Sequence, residues 1–65
     1  MNAQDRLLNF LQQNVSFECY WKVRDRYGHE LSKQDVLTIA QDCSNRIPWG
    51  RYAGFKKLYE EVENE

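Results

Sequence analysis

Apolar residues recur along this chain every three or four positions, and no segment alternates apolar with polar residues as a half-buried strand would. That period predicts helices throughout. Ala3, Leu7, Leu8, Phe10 and Leu11 gather on one face of a helix over about 3–13, opposite Asp5, Arg6, Asn9, Gln12 and Gln13. Asn2 is placed to cap its start, Asp5 suits the positive end of its dipole, and Asn14 can close it. A second helix is predicted over about 17–27, with Ser16 as its cap, Glu18 in its first turn and Gly28 as its left-handed terminator. Phe17, Cys19, Tyr20, Trp21, Val23 and Tyr27 spread over more than half its circumference. An apolar arc that wide predicts neighbours on two sides, which would make this the central helix.

Ser32-Lys33-Gln34-Asp35 reads as a capping box in which Asp takes the usual place of Glu, and Leu31 can staple against Val36 across it. The helix it opens is predicted over about 33–44. Val36, Ile39, Ala40 and Cys43 form its stripe, with Leu37 at the edge, and Gln34, Asp35, Thr38, Gln41 and Asp42 face water. Pro48 interrupts the period by pushing Ile47 into an extended conformation. A last helix over about 49–62 places Tyr52, Phe55, Leu58, Tyr59 and Val62 on its inner face. Gly54, inside it, costs roughly 1 kcal/mol relative to alanine and points to a close backbone crossing or a bend. The fold class that follows is all-α, a compact bundle of three to four short helices in one domain over 1–65, its last few residues frayed.

Composition changes this picture only at its edges. A chain of 65 residues buries about 60% of its unfolded surface, so the nine aromatic residues are the expected compensation for a small core. Nine Lys and Arg against ten Asp and Glu leave a net charge of −1, whereas nucleic-acid-binding domains are usually basic. No apolar run approaches the ~20 residues that a bilayer requires, so no membrane partner is expected. Met1-Asn2-Ala3-Gln4-Asp5 lacks both the basic and the apolar region of a secretory signal, which predicts a cytoplasmic protein with Cys19 and Cys43 reduced.

Catalytic and metal chemistry find little to work with. Two cysteines and one histidine do not complete a four-ligand zinc site without acidic residues, so neither metal nor cofactor is expected. His29, in a loop, reads as solvated and has no nucleophile beside it, while Ser16 and Ser32 are absorbed as caps. A bundle this small leaves little room for a substrate pocket of roughly 300 Å3 or more. The expectation is a protein that is not an enzyme.

Two regions remain as candidate binding surfaces. Arg24 lies by helical spacing among Phe17, Tyr20, Trp21 and Tyr27. Its structural role would be a stem packed on aromatic rings, with the guanidinium stacked, paired or hydrated. Its binding role would be an exposed patch of Tyr20, Arg24 and Tyr27, whose composition is that of interface hot spots. The second region runs from Arg46 to Lys57. It carries Arg46, Arg51, Lys56 and Lys57 with no acidic residue, and Trp49, Tyr52 and Phe55 are interleaved. Cations beside aromatics can hold phosphates and stack bases. Lys56 with Glu60 and Lys57 with Glu61 can equally form ion pairs one turn apart, leaving Arg46, Trp49 and Arg51 for a partner. Trp49 itself either plugs the end of the bundle or stands exposed as an anchor. The acids that follow, Glu60, Glu61, Glu63 and Glu65, read as a solvated end or as an arm that docks on a basic partner.

The expected function is therefore that of a small regulatory or accessory protein. It would bind another protein through Arg46, Trp49 and Arg51, or through Tyr20, Arg24 and Tyr27. The alternative is a helix-turn-helix-like nucleic-acid-binding regulator using Arg46, Arg51, Lys56 and Lys57. Such a unit reads bases with the N-terminal residues of its second helix, and here the acids of the last helix oppose that use. A homodimer that continues the apolar arc of the second helix is a third possibility.

Overall fold

The computed structural model describes residues 2–28 and 30–65; Met1 and His29 lie outside the described residues. Among these are four helices and no strand: α1 (Ala3–Asn14), α2 (Phe17–Arg24), α3 (Lys33–Cys43) and α4 (Tyr52–Glu63). Two short 3-10 turns, Ser44–Arg46 and Trp49–Arg51, carry the chain from α3 to α4. This is the expected all-α bundle. No helix of the described residues is long and apolar enough to cross a membrane.

Local hydrogen bonds explain where three of the helices start. Asn2 Oδ1 accepts from the Asp5 N–H at 2.8 Å, and Ser16 Oγ accepts from the Cys19 N–H at 3.2 Å. At α3 the box is reciprocal: Ser32 Oγ accepts from the Asp35 N–H and the Asp35 carboxylate accepts from the Ser32 N–H, both at 3.1 Å. Each satisfies a backbone donor that a helix start leaves without a partner.

The helix ends depart from the pattern. α2 stops at Arg24 rather than Tyr27. The Arg26 and Tyr27 N–H groups donate three residues back, to the Val23 and Arg24 carbonyls, so the chain tightens and leaves the helix axis. Arg24 holds that turn by donating from its guanidinium to the Gly28 carbonyl at 2.6 Å. Gly28 does take the left-handed conformation, with φ of 75°, but beyond this turn. α1 closes without a left-handed residue: Asn14 stays helical, its amide donates to the Phe10 carbonyl, and Val15 turns extended. The last helix begins as the 3-10 turn Trp49–Arg51 and becomes α-helical at Tyr52.

The centre of the bundle is α3, not α2. α3 packs on α1, α2 and α4, whereas α2 lies at one side against α3 and, less closely, α1. α3 buries Val36, Leu37, Ile39, Ala40 and Cys43, while α2 buries only Tyr20. Ala3, Leu7 and Leu11 of α1, Val15 just after it, Phe55 and Val62 of α4, and Ile47 of the connection complete the core. α4 remains helical to Glu63, since Val62 is fully buried and Lys33 Nζ donates to the Glu63 carbonyl at 2.8 Å. That lysine also places a cation at the negative end of the helix dipole, where the chain itself offers acids.

Gly54 serves neither a crossing nor a bend. A Cβ built there would meet only the Phe10 ring, at 3.5 Å, an ordinary contact distance. Gly54→Ala is therefore expected to stabilise the fold by about 0.5–1 kcal/mol through the lower entropy of the unfolded chain. Urea unfolding measures this, and a loss of stability would mean that Phe10 cannot yield.

Candidate functional site

The connection between α3 and α4 sends its two large apolar residues in opposite directions. Ile47 is buried, anchoring the turn in the core. Pro48, with ψ of 141°, redirects the chain, and the Arg51 N–H donates to the Pro48 carbonyl at 2.9 Å to close the 3-10 turn. Trp49 is left 93% exposed, so it does not plug the bundle. Fully burying a large apolar side chain stabilises a protein by roughly 1.5–3 kcal/mol, and here that stabilisation is forgone. Arg51, in the same turn, is exposed beside it.

Tyr52 was expected on the inner face but is 45% exposed. It is the first residue of α4, and one side of its ring packs along its own helix. That side meets Phe55, with ring centroids 5.5 Å apart, and Phe55 in turn meets Tyr59 at 5.9 Å. The three rings floor an open cleft of about 250 Å3 between α3 and α4, completed by Gln41, Ser44 and Lys56. The Gln41 side-chain amide donates to the Tyr59 hydroxyl across the cleft, and the Ser44 hydroxyl donates to the Gln41 carbonyl at 2.7 Å.

The basic segment does not form one strip. Arg46 opens on the other side of the connection, in a shallow depression with Ser16, Glu18, Cys19 and Lys22. Lys56 lines the α3–α4 cleft. Lys57 is turned about 100° further round α4 and is exposed. The expected ion pairs of Lys56 and Lys57 with Glu60 and Glu61 are absent among the described residues. Glu61 instead faces Arg6 of α1 at 3.1 Å, an ion pair without the alignment of a hydrogen bond. α4 turns Glu61 toward α1, out of reach of a lysine that points to solvent. The partly exposed Arg6–Glu61 pair contributes at most about 1 kcal/mol.

Burial removes one member of the second sequence-derived patch. Tyr20 is 1% exposed and belongs to the core, so it presents no surface to a partner. Burial raises its hydroxyl pKa, against the lowering influence of Arg24. Arg24 is half-buried, with its guanidinium 5.9 Å over the Trp21 ring, the stacked structural role read from its spacing. Tyr27 is half-buried and packs against the core. The exposed aromatics of α2 are instead Phe17, at 76%, and Trp21, whose rings lie 6.0 Å apart. Periodicity assigned both to the apolar arc. It could not show that a side helix has too few neighbours to cover so wide an arc.

Cys19 is half-buried and Cys43 fully buried, both as free thiols. Burial pushes the Cys43 thiol up to about 11, with Cys19 and Asp42 adding to the rise, so it is no ready nucleophile near neutral pH. Among the described residues no group of three or more His, Cys, Asp or Glu side chains could hold a metal ion. Comparison of the chain with known protein families, with curated proteins and with solved structures finds no match.

Proposed function

We propose that this protein acts as a small accessory or regulatory protein that binds another protein, with Trp49 and Arg51 at the centre of the contact. The observation that carries this reading is the near-complete exposure of Trp49 on a turn whose neighbour Ile47 is buried. A tryptophan on an anchored turn loses little conformational freedom on binding and offers a large apolar area. Tyr52 and Arg51 supply the other side chains enriched at hot spots. Arg46 flanks this centre from the α2 side and contributes at most long-range attraction.

The nucleic-acid alternative would use Arg46, Arg51, Lys56 and Lys57. Phosphate binding favours cations on one continuous track, and these open on different sides of the connection and of α4.

The test is a photoreactive phenylalanine analogue at position 49, with an equivalent substitution at exposed Gln12 as control, in the cells that make the protein. A discrete crosslink to one protein from position 49 alone is expected. Trp49→Ala and Arg51→Ala should weaken capture of that protein about tenfold or more, the scale of a hot-spot loss, with stability within about 0.5 kcal/mol of the parent. Crosslinks indistinguishable from those of position 12 would end the proposal, and crosslinks to nucleic acid would replace it with the alternative.

A further inference from the structure

We propose that the α3–α4 cleft receives one large apolar side chain of a partner protein, and that Lys56 meets a carboxylate beside it. The inference rests on the protein-binding reading above and names the chemistry of the segment bound. Size comes first. A cavity of about 150 Å3 holds a benzene ring, so an open cleft of about 250 Å3 suits one leucine or aromatic side chain and not a folded element. The floor is apolar, made of the Tyr52, Phe55 and Tyr59 rings. The cleft's polar edge is already engaged, with Gln41 bonded to Tyr59 and Ser44 bonded to Gln41, so it makes little demand for a polar ligand.

Charge then selects the neighbour of that side chain. Among the described residues Lys56 is the one charged side chain lining the cleft, and it forms no ion pair with Glu60 one turn on. No acid occurs between Asp42 and Glu60 in the sequence. A single carboxylate set on the N-terminal side of Lys56, away from Glu60, would therefore meet a cation held in no ion pair.

The same observations oppose a symmetric second copy and a nucleic-acid strand. A second copy docked symmetrically would bring Arg51 and Lys56 against their own equivalents, whereas one docked head to tail could offer exposed Phe17 beside Glu18, so self-association of the protein alone in solution would overturn a separate partner. A nucleic-acid strand in the cleft would run onto Glu60 and Glu63, which follow Lys56 at i+4 and i+7 on the same side of α4. A phosphate backbone carries charge at every step, whereas a peptide can place one acid beside one apolar group.

The experiment selects binders from a random short-peptide library on the intact protein, then repeats the selection on Lys56→Glu. Lys56 is exposed, so this variant should fold. Peptides selected on the parent should share a leucine or aromatic residue with an Asp or Glu within a few positions. Their affinity should fall about tenfold or more on Lys56→Glu, and selection on the variant should exchange the acid for Lys or Arg. Amide shifts on binding should centre on Gln41, Ser44 and Tyr59. Three further outcomes overturn the inference: no enriched peptide, peptides without the acid, or binding indifferent to Lys56. Peptides that depend on Trp49 but not on Lys56 would overturn the cleft while leaving the protein-binding reading in place. A labelled random oligonucleotide that shifts the same cleft residues, with no peptide enriched, would overturn both.

Discussion

Ile39→Ala is expected to remove most of the stability of this fold. Ile39 has no exposed surface and lies on α3, which packs against the three other helices and buries the most residues of the core. Truncating a buried isoleucine to alanine costs about 2–5 kcal/mol, more where the surroundings cannot collapse into the space. With helices on three sides of α3, little collapse is open to this site. The whole domain, at roughly 0.05–0.15 kcal/mol per residue, is held by about 3–10 kcal/mol. In urea unfolding followed by circular dichroism, the midpoint of the variant should fall below half that of the parent. A loss under about 1 kcal/mol would contradict a core centred on α3. Trp49→Ala removes a larger side chain yet should leave the midpoint nearly unchanged, because its ring contributes almost nothing to the packed interior.

Contrast between those two positions marks what the sequence made legible. The caps at Asn2, Ser16 and Ser32 depend on residues three positions apart, and each was readable because the physics is local. Leu7, Leu11, Val36, Ile39, Phe55 and Val62 lie on helical stripes, and a stripe specifies which face goes in. It does not specify how many neighbours a helix has. That is why the wide arc of α2 suggested a central helix, when Phe17 and Trp21 are uncovered at the side of the bundle. Tyr52 keeps the stripe of α4 but, as the first residue of that helix, is 45% exposed. The candidate site was half legible. Arg46, Trp49 and Arg51 were singled out by composition, yet only the fold turns Arg46 toward α2 and pairs Lys56 with a cleft on α3. Gln41 and Ser44, which form the wall of that cleft, read in sequence as a solvent-facing residue and a helix end, with no signal to find them.

Raising the pH from about 9 to about 11 is expected to destabilise the protein progressively, and Cys43 is the group that should account for most of the loss. Its thiol ionises at about 11 in the fold against an ordinary value of 9.0, first because it is buried and then because Cys19 and Asp42 are near. The folded state thus holds its proton more tightly than the unfolded chain does. Below the ordinary value both states are protonated and the full stability is present. As pH rises past that value the unfolded chain releases its proton first, and stability is lost until the folded thiol also ionises near 11. Each pKa unit corresponds to about 1.4 kcal/mol, so the two-unit shift amounts to roughly 3 kcal/mol, a large part of what holds a domain this size. Tyr20, raised above 10.0 by its own burial, acts in the same direction. Cys43→Ala should lower the stability at neutral pH by leaving a small void, yet flatten its decline between pH 9 and 11. If the decline keeps its slope in that variant while Tyr20→Phe flattens it, the tyrosine is the dominant group. If neither variant changes the slope, ionisation of the core does not drive alkaline unfolding.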